Sequence, residues 1–199
     1  MHPRIEVTKG DITEEEVDVV VNAANERLKA GGGVDGAIHR AAGPTLQEEL
    51  DRRYSGCATG EAVVTAGHGL PARHVVHTVG PVWKDGTAKE DELLTACHRN
   101  ALRCAAEVGA GTVALPAIST GAFGYPVERA ARVATRAVVS ALKELPEIEC
   151  VRFVCFDDGT KQAFRSALEV TLKEMSWESE EDERPGDSRP SSPVWMGSE

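Results

Sequence analysis

Residues 17–43, which read VDVVVNAANERLKAGGGVDGAIHRAAG, decide the fold. The segment begins with a nearly continuous β-branched run at 17–21, which is typical of a strand that is buried on both faces of a sheet. Three consecutive glycines follow, and residues 35–42 then have the spacing of a helix. A buried strand, a glycine-rich loop and a helix in this order indicate an α/β fold, with the loop at the carboxyl end of a parallel strand.

The rest of the chain continues the alternation of short apolar runs and longer helical patterns. The sequence predicts strands at 5–8, 17–21, 61–66, 74–79, 112–116 and 151–156, and helices at 35–42, 45–54, 91–108, 127–142 and 160–175. We therefore expect one α/β domain at residues 1–175, with helices around a central, largely parallel sheet. Residues 176–199 are acidic and rich in proline and serine, so we expect a disordered tail; Trp177 and Trp195 leave open a short docking motif within it.

Composition limits the partners that this chain can have. The formal net charge of −10 argues against a general nucleic-acid binder, which would need a basic surface. The five cysteines lack a C-x-x-C pair and predict reduced core thiols. No apolar run approaches the length of a membrane span, and the first residues lack the apolar core of a signal peptide. We expect a cytoplasmic protein without a membrane partner, and a monomer, because heptads and long apolar surfaces are lacking.

The glycines at 31–36 formally match the dinucleotide-binding pattern G-x-G-x-x-G. That pattern requires the glycines to follow the strand directly, whereas nine residues, 22–30, intervene here. The Rossmann interpretation therefore fails. The physical reason for the glycines remains, because they let backbone amides approach a ligand closely, and amides at a helix start attract phosphate.

A second loop of the same kind occurs at 115–130, which reads LPAISTGAFGYPVERA. A predicted strand runs into Ser119–Gly124, and Pro126 then begins a helix. The loop is not a P-loop, because the Lys-Ser/Thr ending is missing. Two glycine-rich loops at the carboxyl ends of strands predict a diphosphate ligand at the top of the sheet.

Polar residues beside the first glycine loop are candidates for chemistry. Asn22 and Asn25 follow the buried strand, where their amides can bind ribose hydroxyls or pin their own loop; for Asn22 the second role is favoured. Asp35 is either a helix cap or a carboxylate that orients or deprotonates a water molecule beside the phosphates. His39 lies on the same helical face and has a structural or a supporting role. The histidines and cysteines have no recognisable metal-ligand spacing, so neither a metal nor a cofactor is expected.

Together these segments resemble a known family. The four motifs GDIT (10–13), VNAAN (21–25), GGGVDGAIH (31–39) and STGAFGYP (119–126) resemble those of the macro domain family, and more narrowly those of the MacroD-type ADP-ribose hydrolases. The resemblance covers residues 4–173 and leaves out the tail. It implies a three-layer α/β/α fold with a mixed sheet and an ADP-ribose cleft across its top.

The resemblance also implies residue roles. Asp11 would bind the adenine amino group with help from the Ile12 amide, and Phe156 would stack on adenine with Asp157 near the adenosine ribose. Phe123 would pack against the distal ribose. The residues implied to wrap the diphosphate are Gly31, Gly32, Gly33, Val34, Ser119, Thr120, Gly121, Ala122, Phe123 and Gly124. Asn22, Asn25 and Asp35 complete the predicted ADP-ribose-binding set.

The activity implied by the resemblance is removal of acyl groups from the distal ribose, from proteins mono-ADP-ribosylated on Asp or Glu and from O-acetyl-ADP-ribose. We predict Asn25, Asp35 and His39 as the catalytic residues: Asn25 orients the ribose, Asp35 positions or activates water, and His39 supports the loop. Two alternatives remain, a reader that binds ADP-ribose without turnover and a phosphatase acting on ADP-ribose 1″-phosphate. The carboxylate of Asp35 favours the hydrolase, because a reader does not need it.

Overall fold

The computed structural model describes residues 4–182, and the side chains of residues 4–175. The strands are β1 (Arg4–Lys9), β2 (Val19–Ala24), β3 (Ala62–Ala66), β4 (His74–Val79), β5 (Thr112–Leu115) and β6 (Cys150–Cys155). The helices are α1 (Gly33–Ala42), α2 (Pro44–Arg53), α3 (Glu90–Glu107), α4 (Val127–Leu142) and α5 (Asp158–Asp182), with a short 3₁₀ helix at Ile12–Glu14.

The strands form one sheet in the order β1-β6-β5-β2-β4-β3, in which only β3 runs antiparallel to its neighbour. Successive residues of β2 face opposite sides of the sheet. Val20 packs into a core with Ile38 of α1 and Leu46 of α2, whereas Val19 and Val21 pack with α3, α4 and α5 on the other side. The predicted three-layer α/β/α arrangement with a mixed, largely parallel sheet is therefore confirmed.

The topology places a crevice above the middle of the sheet. Parallel strands present their carboxyl ends at the same edge, so the chain leaves β1, β6, β5, β2 and β4 on one side of the molecule. After β2 the chain enters α1 on one face, and after β5 it enters α4 on the opposite face. Because β2 and β5 are neighbours, their loops diverge and leave a ligand site between them.

Most predicted elements lie within a few residues of the observed ones, with two informative differences. Strand β2 continues to Ala24, beyond the predicted end at Val21, and includes Asn22, which pairs with His77 of β4. Helix α5 ends at Asp182 and so enters the segment predicted to be a disordered tail. Residues 183–199, with Trp195, and the side chain of Trp177 lie outside the described residues.

Two further expectations concern the cysteine thiols and the lack of a membrane-spanning helix. All five cysteines are free thiols; Cys57, Cys97 and Cys155 are buried, as expected of core thiols, whereas Cys104 and Cys150 are only partly buried. No helix within residues 4–182 is long and apolar enough to cross a membrane. Cytoplasmic location stays a prediction.

We expect acid to destabilise the fold through two buried histidines. Burial lowers the pKa of His77 in β4 to about 3 and that of His98 in α3 to about 4, from an ordinary 6.5. Below pH 6.5 the unfolded chain binds protons that the folded chain does not, so stability is complete above this pH and decreases as the pH falls. At pH 5 the expected loss is about 2 kcal/mol per histidine.

Urea unfolding at pH 8 and pH 5 measures this loss. A His98→Leu variant removes one of the two protons taken up, and its stability should depend about half as strongly on pH in this range. Equal stability of the parent at both pH values would contradict the neutral, buried state of these rings.

Candidate active site

The loop that leaves β2 is closed by a side chain of its own. Asn25 Nδ2 donates to the Lys29 carbonyl at 2.7 Å, and the Lys29 amide donates to Asn25 Oδ1 at 3.2 Å. It is therefore Asn25, not Asn22, that pins this loop. A side-chain amide carries two protons, so Asn25 keeps one for a ligand. A Cβ added to Gly31 would lie 3.6 Å from Asn25 Nδ2 and 3.2 Å from Asp35 Oδ2, which places these three residues together.

Helix α1 begins with backbone donors that have no protein acceptor. Gly33 is its first residue, with a φ of +58° that favours glycine, and Gly32 caps the helix without a side-chain bond. Among the described residues, the amides of Gly32, Gly33 and Val34 have no hydrogen-bond acceptor, and both glycines are exposed. Free amides at the positive end of a helix form an anion site, so this position fits the predicted diphosphate.

Asp35 is the third residue of α1, and not its cap. It is only 7% exposed, and its Oδ2 accepts from the Gly31 amide at 2.6 Å. Its Oδ1 accepts from Asn22 Nδ2 at 2.7 Å and lies 3.4 Å from His39 Nε2. Burial alone would raise the pKa of Asp35, but hydrogen bonds from His39, Asn22 and Gly31 outweigh burial and hold this pKa below its ordinary value. Each carboxylate oxygen can accept two hydrogen bonds, so one position on Oδ2 remains for a ligand or water.

Asn22 does not face the cleft, which corrects its prediction as an ADP-ribose-binding residue. It has no exposed surface, and its amide lies behind Asp35 within the sheet. The alternative in which Asn22 pins its own loop is also wrong. Its position in β2 directs the side chain toward α1, where it supports the carboxylate. His39 is likewise buried against Asp35, and its supporting role stays a prediction.

The loop after β5 has the second set of free amides. Ser119, at a φ of +66°, and Gly124, at +69°, turn the chain, and the Tyr125 amide closes the loop onto the Ser119 carbonyl at 3.0 Å. Within the described residues the amides of Gly121, Ala122 and Phe123 have no acceptor. Thr120 directs its hydroxyl to the Ala117 carbonyl at 2.7 Å, so its side chain stabilises the loop.

A residue that the sequence did not single out holds this loop from outside. The Trp83 amide donates to the Phe123 carbonyl at 2.9 Å, and the Trp83 ring packs 4.7 Å from that of Tyr125. The Arg129 guanidinium lies 5.1 Å from the centre of the Trp83 ring. Trp83 follows β4 at the carboxyl edge of the sheet, and this placement is the only signal that could have identified it.

The adenine end of the predicted cleft lies at the neighbouring strands β1 and β6. Phe156 follows β6 with 88% of its surface exposed, as expected for a ring that stacks on a ligand. Asp11 follows β1, and its Oδ1 accepts from the Thr13 amide and hydroxyl, which leaves Oδ2 available and lowers its pKa. Ile12 is buried beside it. Asp157 binds the Thr160 amide at 2.8 Å at the start of α5, and its ribose contact stays a prediction.

We expect Phe156→Ala to weaken ADP-ribose binding about tenfold, because stacking on an aromatic ring contributes about 1–3 kcal/mol per base. Stability should be unchanged, since the ring contacts mainly solvent. Calorimetric titration with ADP-ribose measures the effect. Val170→Ala, on the exposed face of α5, is the matched control. Parent-like affinity of the Phe156 variant would place adenine elsewhere.

The fold and the site define a class of protein before any comparison. An α/β domain with two sets of free amides at the topological switch point of its sheet, and a buried carboxylate on the helix that carries the first set, has the features of a nucleoside-diphosphate-binding domain. Among residues 4–175 no group of three His, Cys, Asp or Glu side chains could hold a metal ion.

Comparison with known proteins identifies the family. A family model described as Macro domain matches residues 21–134, and the chain belongs to that family. It is 49% identical over 169 residues to a macro domain-containing protein of Methanosarcina mazei, covering 85% of this chain and 90% of that protein. It is 50% identical over 178 residues to a protein of Enterobacter cloacae named O-acetyl-ADP-ribose deacetylase, covering 88% and 99%.

Solved structures agree with this assignment. A variant of the Oceanobacillus iheyensis macrodomain with ADPR has a TM-score of 0.82 and 37% identity, covering 86% of this chain and 95% of that one. The Trypanosoma brucei macrodomain in complex with ADP-ribose has a TM-score of 0.77 and 38% identity, covering 83% and 69%.

Proposed function

We propose that this chain is a hydrolase that removes acyl groups from the distal ribose of ADP-ribose. Its substrates are proteins mono-ADP-ribosylated on Asp or Glu and O-acetyl-ADP-ribose, and free ADP-ribose is released. One observation carries the proposal: Asp35 is buried, fixed by three donors and next to the free amides of α1, with one acceptor position left on Oδ2. The relative named O-acetyl-ADP-ribose deacetylase supports the same reaction.

The strand order supports one orientation of the ligand. With adenine at β1 and β6, and the diphosphate between the loops after β5 and β2, the distal ribose reaches the β2 end of the cleft. Asn25 lies there, and its free amide proton can donate to a ribose hydroxyl. Amides that are already in place hold the diphosphate without reorganisation, so the ester is positioned before it reacts.

The protonation state of Asp35 determines whether it deprotonates the water or only orients it. Its lowered pKa keeps the carboxylate ionised at neutral pH and makes it a weak base. Asp35 therefore accepts a hydrogen bond from the water and orients it toward the acyl carbon. Attack forms the new carbon–oxygen bond and breaks the bond between the acyl carbon and the ribose oxygen, and the ribose oxygen takes up the proton that the attacking water gives up. The products are a carboxylic acid and ADP-ribose.

Release of ADP-ribose tests the proposal. The parent protein is incubated with a protein mono-ADP-ribosylated on glutamate, with O-acetyl-ADP-ribose and with ADP-ribose 1″-phosphate, and products are followed by mass spectrometry. We expect free ADP-ribose from both esters. Tight binding of ADP-ribose without release would make the chain a reader, and release from the phosphate alone would make it a phosphatase.

We also propose that the chain acts as a monomer and without a metal ion. Release from both esters should proceed at the same rate after dialysis against EDTA. Light scattering should give the mass of one chain during turnover. Loss of release on chelation, with recovery on adding a divalent cation, would contradict the metal-independent reaction.

A further inference from the structure

A row of three buried polar side chains, joined by hydrogen bonds, lies beneath the site on the face of the sheet that α1 and α2 cover. Asn22 of β2, His77 of β4 and Thr65 of β3 lie on three adjacent strands. The exposed fractions are 0% for Asn22, 0% for His77 and 1% for Thr65. None of the three reaches the cleft, but the first of them contacts Asp35.

Only one assignment of donors and acceptors satisfies the hydrogen bonds among these side chains. Asn22 Nδ2 donates to the ionised Asp35 at 2.7 Å and lies 3.1 Å from His77 Nδ1. Because the carboxylate requires a donor, the NH₂ group of Asn22 faces both partners, and His77 Nδ1 must accept. His77 then carries its proton on Nε2 and donates to Thr65 Oγ1 at 2.9 Å, and Thr65 donates to the Ala66 carbonyl at 3.1 Å.

These three buried polar side chains reduce the stability of the fold in a way that packing alone does not explain. Asn22 Oδ1 is buried and has no hydrogen-bond partner among the described residues. A buried acceptor without a partner destabilises a fold by the full desolvation of the group. The three residues before Asn22 are valines, and a fourth apolar side chain would avoid this cost. The amide is therefore retained for what its other end does, which is to donate to Asp35.

We propose that His77 and Thr65 are positioning residues for the hydrolysis, because they hold the Asn22 amide with its N–H toward Asp35. The inference rests on the proposed function for its catalytic part. Without the Thr65 hydroxyl, His77 Nε2–H has no acceptor, and its proton moves to Nδ1. A protonated Nδ1 faces Asn22 as a donor and turns the amide oxygen toward Asp35. The Asp35 carboxylate then loses the hydrogen bond from Asn22 Nδ2 and faces the Asn22 amide oxygen, which repels its negative charge.

Thr65→Val tests this account, with Thr65→Ser as the matched control. Valine has the shape of threonine without its hydroxyl, whereas serine keeps the hydroxyl. We expect Thr65→Val to lower kcat for ADP-ribose release about tenfold or more, since a hydrogen bond to a charged group is lost. KM and ADP-ribose affinity should stay within about twofold, because the glycine amides that hold the diphosphate are untouched. Thr65→Ser should behave like the parent.

A second measurement does not depend on catalysis. The titration of the Asp35 carboxyl, followed by carbon NMR, should show its lowered pKa rising toward the ordinary value in Thr65→Val and not in Thr65→Ser. An unchanged Asp35 pKa and an unchanged kcat in Thr65→Val would overturn the proposal, as would a loss of affinity that parallels a loss of kcat. If the parent releases no ADP-ribose while the Asp35 pKa rises in Thr65→Val, the proposed function fails and the positioning of Asp35 stands.

Discussion

Asp35→Asn should release ADP-ribose from a glutamate ester at least about a hundredfold more slowly than the parent, because displacing a reacting group by about 1 Å can cost about a hundredfold in rate. The asparagine keeps the shape of the side chain but has only one acceptor oxygen. Both Asn22 and His39 face Oδ1, so the oxygen of the asparagine is kept on that side. Its NH₂ group then replaces Oδ2, faces the Gly31 amide as a second donor, and leaves the water without its acceptor. Stopped assays followed by mass spectrometry measure the rate.

Two controls keep this result specific. Glu169→Gln changes an exposed carboxylate on α5 and should release ADP-ribose at the parent rate. ADP-ribose binding to Asp35→Asn should be retained within about tenfold, because the free amides of α1 and of the loop after β5 remain. Full hydrolysis by Asp35→Asn would remove the carboxylate from the mechanism.

Gly36→Ala should weaken ADP-ribose binding by about a hundredfold or more. A Cβ at Gly36 would lie 2.4 Å from the Gly31 carbonyl oxygen, so the glycine loop must move away from α1. The amides of Gly32 and Gly33 then leave the positions that hold the diphosphate. Two hydrogen bonds to a charged group, at about 1.5–3 kcal/mol each, account for the expected loss.

The change in stability of Gly36→Ala distinguishes the clash with Gly31 from the effect of helix propensity. Alanine is favoured over glycine in a helix by about 1 kcal/mol, so helix propensity alone predicts that Gly36→Ala is more stable. The clash predicts a less stable protein. Gly32→Ala is the comparison, since its Cβ meets no protein atom within 4 Å and its φ of −98° suits alanine. Unchanged binding and higher stability in Gly36→Ala would show that the loop does not depend on this contact.

The sequence was sufficient where local pattern decides structure. Strand β4 and helix α4 have the predicted bounds, because alternation in 74–79 and apolar spacing in 127–142 are unambiguous. Glycines 31–33 and the Ser119–Gly124 loop were identified from the need for close backbone approach, and the structure has free amides at Gly32 and Gly33 and at residues 121–123. Local spacing also placed His39 beside Asp35.

The sequence was insufficient where a polar residue finds its partner far along the chain. Asn22 was expected to follow the strand, because the β-branched run ends at Val21. Its partner His77 lies 55 residues later on the neighbouring strand, and only the strand order brings the two together. The same limit applies to Trp83. It lies in the segment after β4, but its amide binds the Phe123 carbonyl in the loop after β5, 40 residues later in the sequence. The role of Asp35 as an acceptor for Gly31 required the geometry of the helix start.

Hydrolysis of a mono-ADP-ribosylated glutamate ester in water enriched in heavy oxygen tests the central claim most directly. The account predicts that the parent releases unlabelled ADP-ribose and that one heavy oxygen enters the glutamate carboxylate, because the water held by Asp35 attacks the acyl carbon. An ester that remains intact while the protein binds ADP-ribose tightly would contradict the account.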